Sequence, residues 1–134
     1  MNFKITNRTK IFIVLICFIA AVVVFLVRLP SGFRHADKGL HFAFYFLAAA
    51  FLNILFNTRN FVKHISVSGF LYLFGIGIEF AQENYNKVFH VHFHGRYDPE
   101  DVKANLRGLI AFSILWAIVM LCMYALRFTK RTAA

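Results

Sequence analysis

Hydrophobic positions gather into four long runs, Ile11 to Val27, Leu40 to Phe56, Ile65 to Ala81 and Leu106 to Leu126, separated by short polar stretches. Polar interruptions inside the runs are few: His41, Tyr45 and Asn53 in the second, Glu79 in the third, and Arg107 at the start of the fourth. Each run is long enough to cross about 30 Å of hydrocarbon as an α-helix, with modest adjustment at its ends. The pattern predicts an all-α membrane protein, a four-transmembrane-helix bundle with helices near 11–28, 38–57, 63–82 and 99–127. Residues 1–10 form a basic flank, 11–128 the membrane domain, and 129–134 a short polar tail expected to fray.

Composition agrees. Of 134 residues, 60% are hydrophobic and 18 are Phe. Soluble domains are typically about half apolar. The formal net charge of +9 raises the question of nucleic acid. The basic residues, however, sit at the ends of apolar runs and build no basic face, which excludes that class. Positive flanks instead set topology and attract anionic headgroups. Cys17 and Cys122 each lie within an apolar run, without metal-ligand spacing, and read as small hydrophobes.

Lys4, Arg8 and Lys10 before the first run would also suit a signal peptide. Arg28-Leu29-Pro30 follows it in place of a small-x-small cleavage site, so the run reads as an uncleaved anchor. If all four helices cross, the N-terminal flank, the loop with Arg59 and Lys63, and the C-terminal flank with Arg127, Lys130 and Arg131 share one side. The positive-inside rule makes that side cytoplasmic. The opposite loops carry as many basic residues, mixed with acids, so the bias rests on the two terminal flanks. Both termini are expected in the cytoplasm.

That topology sends the chemically interesting residues to one extracytoplasmic end. Asp37, His41 and Tyr45 have i, i+4 spacing and share a face at the start of the second helix. Lys38 lies beside that face and can snorkel to the interface. Glu79 and Gln82 close the third helix. Asp101 and Asn105 open the fourth, with Gly108 below them. A bundle that turns these stripes inward hides them from lipid and makes a polar pocket.

Plainer readings compete. Asp98-Pro99-Glu100-Asp101 has the form of a helix start, with Asp98 as N-cap and Pro99 at the first helical position. Asp101 could complete a capping box, Asp37 could cap the second helix, and Lys38 could be only an anchor. Glu79 resists such a reading, because an acid inside an apolar run needs a partner; Arg96, Lys38 and His41 are the candidates.

In Lys87-Val88-Phe89-His90-Val91-His92-Phe93-His94, an extended chain would put His90, His92 and His94 on one face. Three imidazoles could bind zinc or copper; the plainer alternative is an interfacial segment. Gly69, Gly75 and Gly77, and Ser113-x-x-x-Ala117, permit close helix packing. There is no phosphate loop, zincin motif, nucleophile elbow or internal repeat, so no cofactor is expected.

Taken together, Asp37-Lys38-Gly39-Leu40-His41-Phe42-x-x-Tyr45, Gly77-Ile78-Glu79-Phe80-Ala81-Gln82 and Arg96-Tyr97-Asp98-Pro99-Glu100-Asp101-Val102-Lys103-Ala104-Asn105-Leu106-Arg107-Gly108 resemble the VanZ-like family of small bacterial integral membrane proteins. The three pieces occur in order, from Asp37 to Gly108. Two features depart from the family pattern: Leu106 and Arg107 replace the small residue usual after the Asn, and the His-rich run is extra. The resemblance implies a multi-pass protein of the bacterial cytoplasmic membrane. The family's founding member is associated with low-level resistance to the glycopeptide teicoplanin; fold and family alone do not transfer that function.

The expected function is therefore a cell-envelope role. The pocket would bind an amphiphile such as a lipid, a lipid-linked wall precursor or a lipoglycopeptide, with its modification left open. Lys38, Arg96 and His41 would hold an anionic group. Glu79, with Asp101 as second choice and His41 beside them, would supply acid/base chemistry. Asp37, Tyr45 and Asp98 would line the site, with Gln82 and Asn105 orienting ligand or acids. One alternative is a non-catalytic binding or organising protein, which could act as a homo-oligomer. A transporter subunit is disfavoured, because the polar groups stop near one interface.

Overall fold

The computed structural model describes residues 5–26, 36–89 and 97–132. They form four α-helices: α1 (Asn7–Leu26), α2 (Asp37–Leu55), α3 (Phe61–Phe89) and α4 (Pro99–Thr132). All four are long and apolar enough to cross a membrane.

Two helices outrun their hydrophobic runs. α3 has 29 residues and α4 has 34. At 1.5 Å per residue they span roughly 44 and 51 Å, more than the roughly 30 Å hydrocarbon core. Lys87 to Phe89, expected to begin an extended stretch, continue α3 instead. The Lys87 ammonium lies 2.6 Å from the Glu83 carboxylate one turn back, an i, i+4 pair that supports this last turn. The segment from Thr129 to Thr132, expected to fray, is the end of α4.

α2 and α3 are joined by a turn whose hydrogen bonds form a Schellman motif. The Thr58 N–H donates to the Asn53 carbonyl at 2.9 Å and the Asn57 N–H to that of Ile54 at 3.1 Å. Asn57 takes the left-handed conformation, φ 46°, which Asn tolerates better than most residues. Asn60 Oδ1 then accepts from the Val62 N–H at 2.8 Å, capping α3.

The distribution of polarity is inverted relative to a water-soluble bundle. Buried polar residues include His41, Asn53, His64, Glu79, Asp101 and Asn105. Large apolar side chains such as Ile19, Val24, Leu73 and Leu121 are more than half exposed. In water that would be costly; in lipid it is the favourable arrangement. Tyr45, Ala49, Leu52, Leu71, Leu109 and Phe112 pack between α2, α3 and α4 as the apolar core.

Gly108 sets the spacing of α2 and α4. A Cβ there would collide with the Phe42 carbonyl oxygen and meet the Phe46 backbone nitrogen at 3.1 Å, so the two backbones nearly touch. Among the three α3 glycines only Gly75 lies at an interface; Gly69 and Gly77 face open space. The Ser113-x-x-x-Ala117 pair does not pack as a unit, since Ala117 is exposed.

α1 lies outermost. Phe18 packs against Phe70 and Phe74 of α3, with ring centroids 5.3 and 4.6 Å away. At its start the Lys10 ammonium stands 5.8 Å from the Phe56 ring, beside the end of α2. Phe25, at the other end, reaches the start of α2.

Candidate functional site

The start of α2, the end of α3 and the start of α4 converge at one end of the bundle. His41 is buried there on α2. Its Nδ1 stands 2.9 Å from Asn105 Oδ1 of α4. An amide oxygen only accepts, so Nδ1 carries the proton and the Nε2 lone pair points away from Asn105. Nε2 faces Asp37 Oδ1 at 3.8 Å and Asp101 Oδ2 at 4.0 Å. Both distances exceed hydrogen-bond range. Asp101 Oδ1 is buried and has no hydrogen-bond partner among the described residues.

Glu79 is 1% exposed. Its Oε2 accepts the Asp98 backbone N–H at 3.3 Å, while Oε1 is buried without a partner among the described residues. The titratable groups nearest it are Asp101, His41 and Asp98. Among the described residues Glu79 makes no ion pair, and its bond goes to the backbone that opens α4. Lys38, a proposed partner, is exposed, and Arg96 lies outside the described residues.

Asp98 performs the expected capping role. Its Oδ1 accepts the Glu100 N–H at 2.8 Å, and Pro99 occupies the first helical position. Asp37 does not cap α2: Ala36 holds the cap position without a side-chain bond, and Asp37 is the first helical residue. There its carboxylate still benefits from the positive end of the helix dipole.

Tyr45 is buried one turn below His41. Its hydroxyl and Asn105 Nδ2 both face Gly75, where an added Cβ would stand 2.8 Å from each. Gln82, expected to orient ligand or acids, donates its Nε2 to the Phe25 carbonyl at 2.8 Å and so ties α3 to α1. Phe25 packs 5.0 Å from the His41 ring and edge-on to Phe44 at 4.9 Å. Hence Asp37, His41, Tyr45, Glu79, Asp98, Asp101 and Asn105 are brought together; Lys38 is exposed at their edge, near Asp101, and Gln82 is engaged by Phe25. His90, His92 and His94 lie outside the described residues.

An apolar cavity lies apart from this cluster. It lies between α1 and α2, lined by Cys17, Phe18, Ala21, Phe44, Leu47 and Phe51 among others. Phe44 and Phe25 are the aromatic link between this cleft and His41.

A second polar network escaped the sequence reading. His64 of α3, 1% exposed, has Nδ1 3.0 Å from Asn53 Oδ1 and Nε2 3.0 Å from Ser113 Oγ. It stacks on Trp116 at 4.3 Å with rings 6° apart. Trp116 Nε1 donates to the Thr58 carbonyl at 3.0 Å. This network lies at the end with the α2–α3 turn, so polar groups do not stop at one interface as expected. Ala49, Leu71 and Leu109, all buried, separate it from the His41 cluster. The signal available beforehand was Asn53, one turn above a polar turn, with a His eleven residues on.

The network and the cluster differ in one respect. Both His64 nitrogens have hydrogen-bond partners, whereas the His41 cluster leaves two carboxylate oxygens unpartnered. The former is a structural lock between helices; the latter has unused capacity. No protein-family model, curated protein or solved structure matches this chain, and the VanZ-like resemblance rests on its motif residues alone.

Proposed function

We propose that this chain is a cell-envelope membrane protein that binds the headgroup of an amphiphile at the His41 cluster and acts on it, with Glu79 as the acid/base. A single observation carries the reading: Glu79 and Asp101 are buried at one end of the bundle, each with a carboxylate oxygen that has no partner. Unpaired buried acids are costly, and in membrane proteins such groups mark substrate and ion sites. The apolar α1–α2 cleft supports an amphiphilic ligand, since an acyl chain there lies one aromatic layer from His41. A lipid or lipid-linked wall precursor has this combination of parts.

The basic terminal flanks favour both termini in the cytoplasm, which puts the cluster at the outer leaflet of a bacterial cytoplasmic membrane. The motifs from Asp37 to Gly108 favour a VanZ-like assignment and, through it, a link to teicoplanin-type glycopeptide resistance. A transporter reading has less support: the apolar layer of Ala49, Leu71 and Leu109 interrupts any polar path between the two networks.

The test compares bacteria carrying no copy, the wild type or Glu79→Gln at matched membrane abundance, with envelope lipids and lipid-linked precursors measured by mass spectrometry. The expected result is a species that changes with the wild type alone. If all three profiles agree, catalysis is ruled out. A purified wild type that retains a lipid lost from Asp101→Asn would then establish the non-catalytic binding alternative. Absence of both effects would overturn the amphiphile reading.

A further inference from the structure

Among the described residues, carboxylates dominate the His41 cluster. The described lysines that form ion pairs do so with Glu83 and Glu100, not with Asp37, Asp101 or Glu79. Around His41 stand Asp37 and Asp101, and Glu79 and Asp98 are close to Asp101. Several carboxylates at membrane depth would repel a phosphate, and Lys38, exposed but close enough to act on Asp101, is outnumbered by them.

The same atoms suit a cation. One donor atom from each of Asp37, His41 and Asp101 lies within 4.8 Å of the others. Donor atoms around a first-row divalent ion with bonds of about 2.0–2.2 Å stand roughly 3–4 Å apart. The His41 Nε2 to carboxylate distances of 3.8 and 4.0 Å fall there, too long for hydrogen bonds but suited to a shared ion. Asn105 supplies the supporting contact that metal-binding histidines usually have: its oxygen takes the Nδ1 proton and leaves Nε2 as a ligand. The independent sign of a missing partner is Asp101 Oδ1 within the triad and Glu79 Oε1 beside it, both buried and unpartnered.

We propose that Asp37, His41 and Asp101 bind a divalent metal ion, Zn²⁺ or Mn²⁺, which in turn coordinates a phosphate headgroup. One imidazole and two carboxylates favour these ions over Mg²⁺ or Ca²⁺, which prefer all-oxygen sites. Three protein ligands leave coordination positions open. The headgroup half of the inference rests on the amphiphile reading above; the ion does not.

The experiment uses full-length protein purified in detergent through a tag without histidine. His90, His92 and His94 are replaced by Gln so that the His-rich run contributes nothing. After chelation and desalting, the protein is titrated with Zn²⁺ or Mn²⁺ alone and the bound metal is measured by mass spectrometry. The expected result is one ion per chain. Asp101→Asn and Asp37→Asn should each weaken binding at least tenfold, and Asn105→Ala by about 10- to 100-fold. Glu83→Gln should bind as the parent does. Asp37 is at the rim, its side chain 40% exposed, so Asp37→Asn keeps the test valid if Asp101→Asn fails to fold. No stoichiometric ion at micromolar metal, or unchanged affinity in Asp37→Asn, would overturn the site.

The Mn²⁺-loaded protein is then mixed with micelles containing short-chain phosphatidate. Selective broadening of the phosphorus resonance, lost in Asp37→Asn, supports the headgroup half. A bound ion without broadening keeps the metal and removes the phosphate ligand. A cellular lipid change that depends on Glu79, in a protein that binds no ion, would keep the amphiphile function and remove the metal.

Discussion

At the scale of single residues, the two buried histidines make opposite forecasts although both sit between helices. His64 has partners on both ring nitrogens, so His64→Leu leaves Asn53 and Ser113 short of one partner each. Interhelical hydrogen bonds in membranes average about 0.6 kcal/mol each, so the expected loss is about 1–2 kcal/mol. Thermal unfolding in detergent measures it, and the envelope lipid profile should stay that of the wild type. Glu79→Gln keeps an oxygen for the Asp98 N–H, so it should unfold close to the wild type while losing its lipid effect. Glu79→Leu removes that acceptor and leaves the Asp98 N–H unpaired, at a cost of about 1–3 kcal/mol. An equal loss of stability in both Glu79 variants would mean that the acid serves the fold and not the chemistry.

At the scale of elements, α2 and α4 are held at backbone contact by Gly108. A methyl group there meets main-chain atoms of Phe42 and Phe46, which cannot rotate away. Gly108→Ala should therefore cost about 1–3 kcal/mol by overpacking, and it should also pull Asn105 from His41, one turn above. Gly77→Ala, which faces open space, should leave stability unchanged or raise it slightly. Thermal unfolding of the two variants side by side checks both directions; equal behaviour would refute the close approach. Loss of the α4 cap in Asp98→Ala should cost about 1 kcal/mol by the same assay. Its effect should reach Glu79 too, because the cap residue's N–H is that side chain's hydrogen-bond partner.

At the scale of the molecule, alternation of four crossing helices puts Thr6, Arg59 and the end of α4 on one side and Glu83 on the other. In a background with Cys17→Ala and Cys122→Ala, Glu83→Cys should react with a membrane-impermeant thiol reagent in intact spheroplasts. Thr6→Cys and Arg59→Cys should react only after lysis. The reverse pattern would put the His41 cluster in the cytoplasm and remove the outer-leaflet reading.

Number and order of the helices were legible in the hydropathy pattern, because a 30 Å apolar slab demands long uninterrupted runs; the start of α1 inside the basic flank and the extended ends of α3 and α4 were not. The capping role of Asp98 was legible too, since a helix start is a local problem solved by residues a few positions apart. So were the polar faces carrying Asp37, His41, Glu79, Asp101 and Asn105, which follow from helical periodicity. Which faces oppose one another was not legible. Periodicity reports the direction of a side chain on its own helix and carries nothing about the neighbour across the gap. Tertiary packing alone gave Glu79 the backbone N–H of Asp98, sent Gln82 to Phe25, and selected Gly75 and Gly108 from similar glycines. It alone joined Asn53, His64 and Ser113 into a second network. The physical reason is the solvent: lipid and protein core are equally apolar, so hydropathy marks what enters the membrane but cannot separate the surface that meets lipid from the surface that meets another helix.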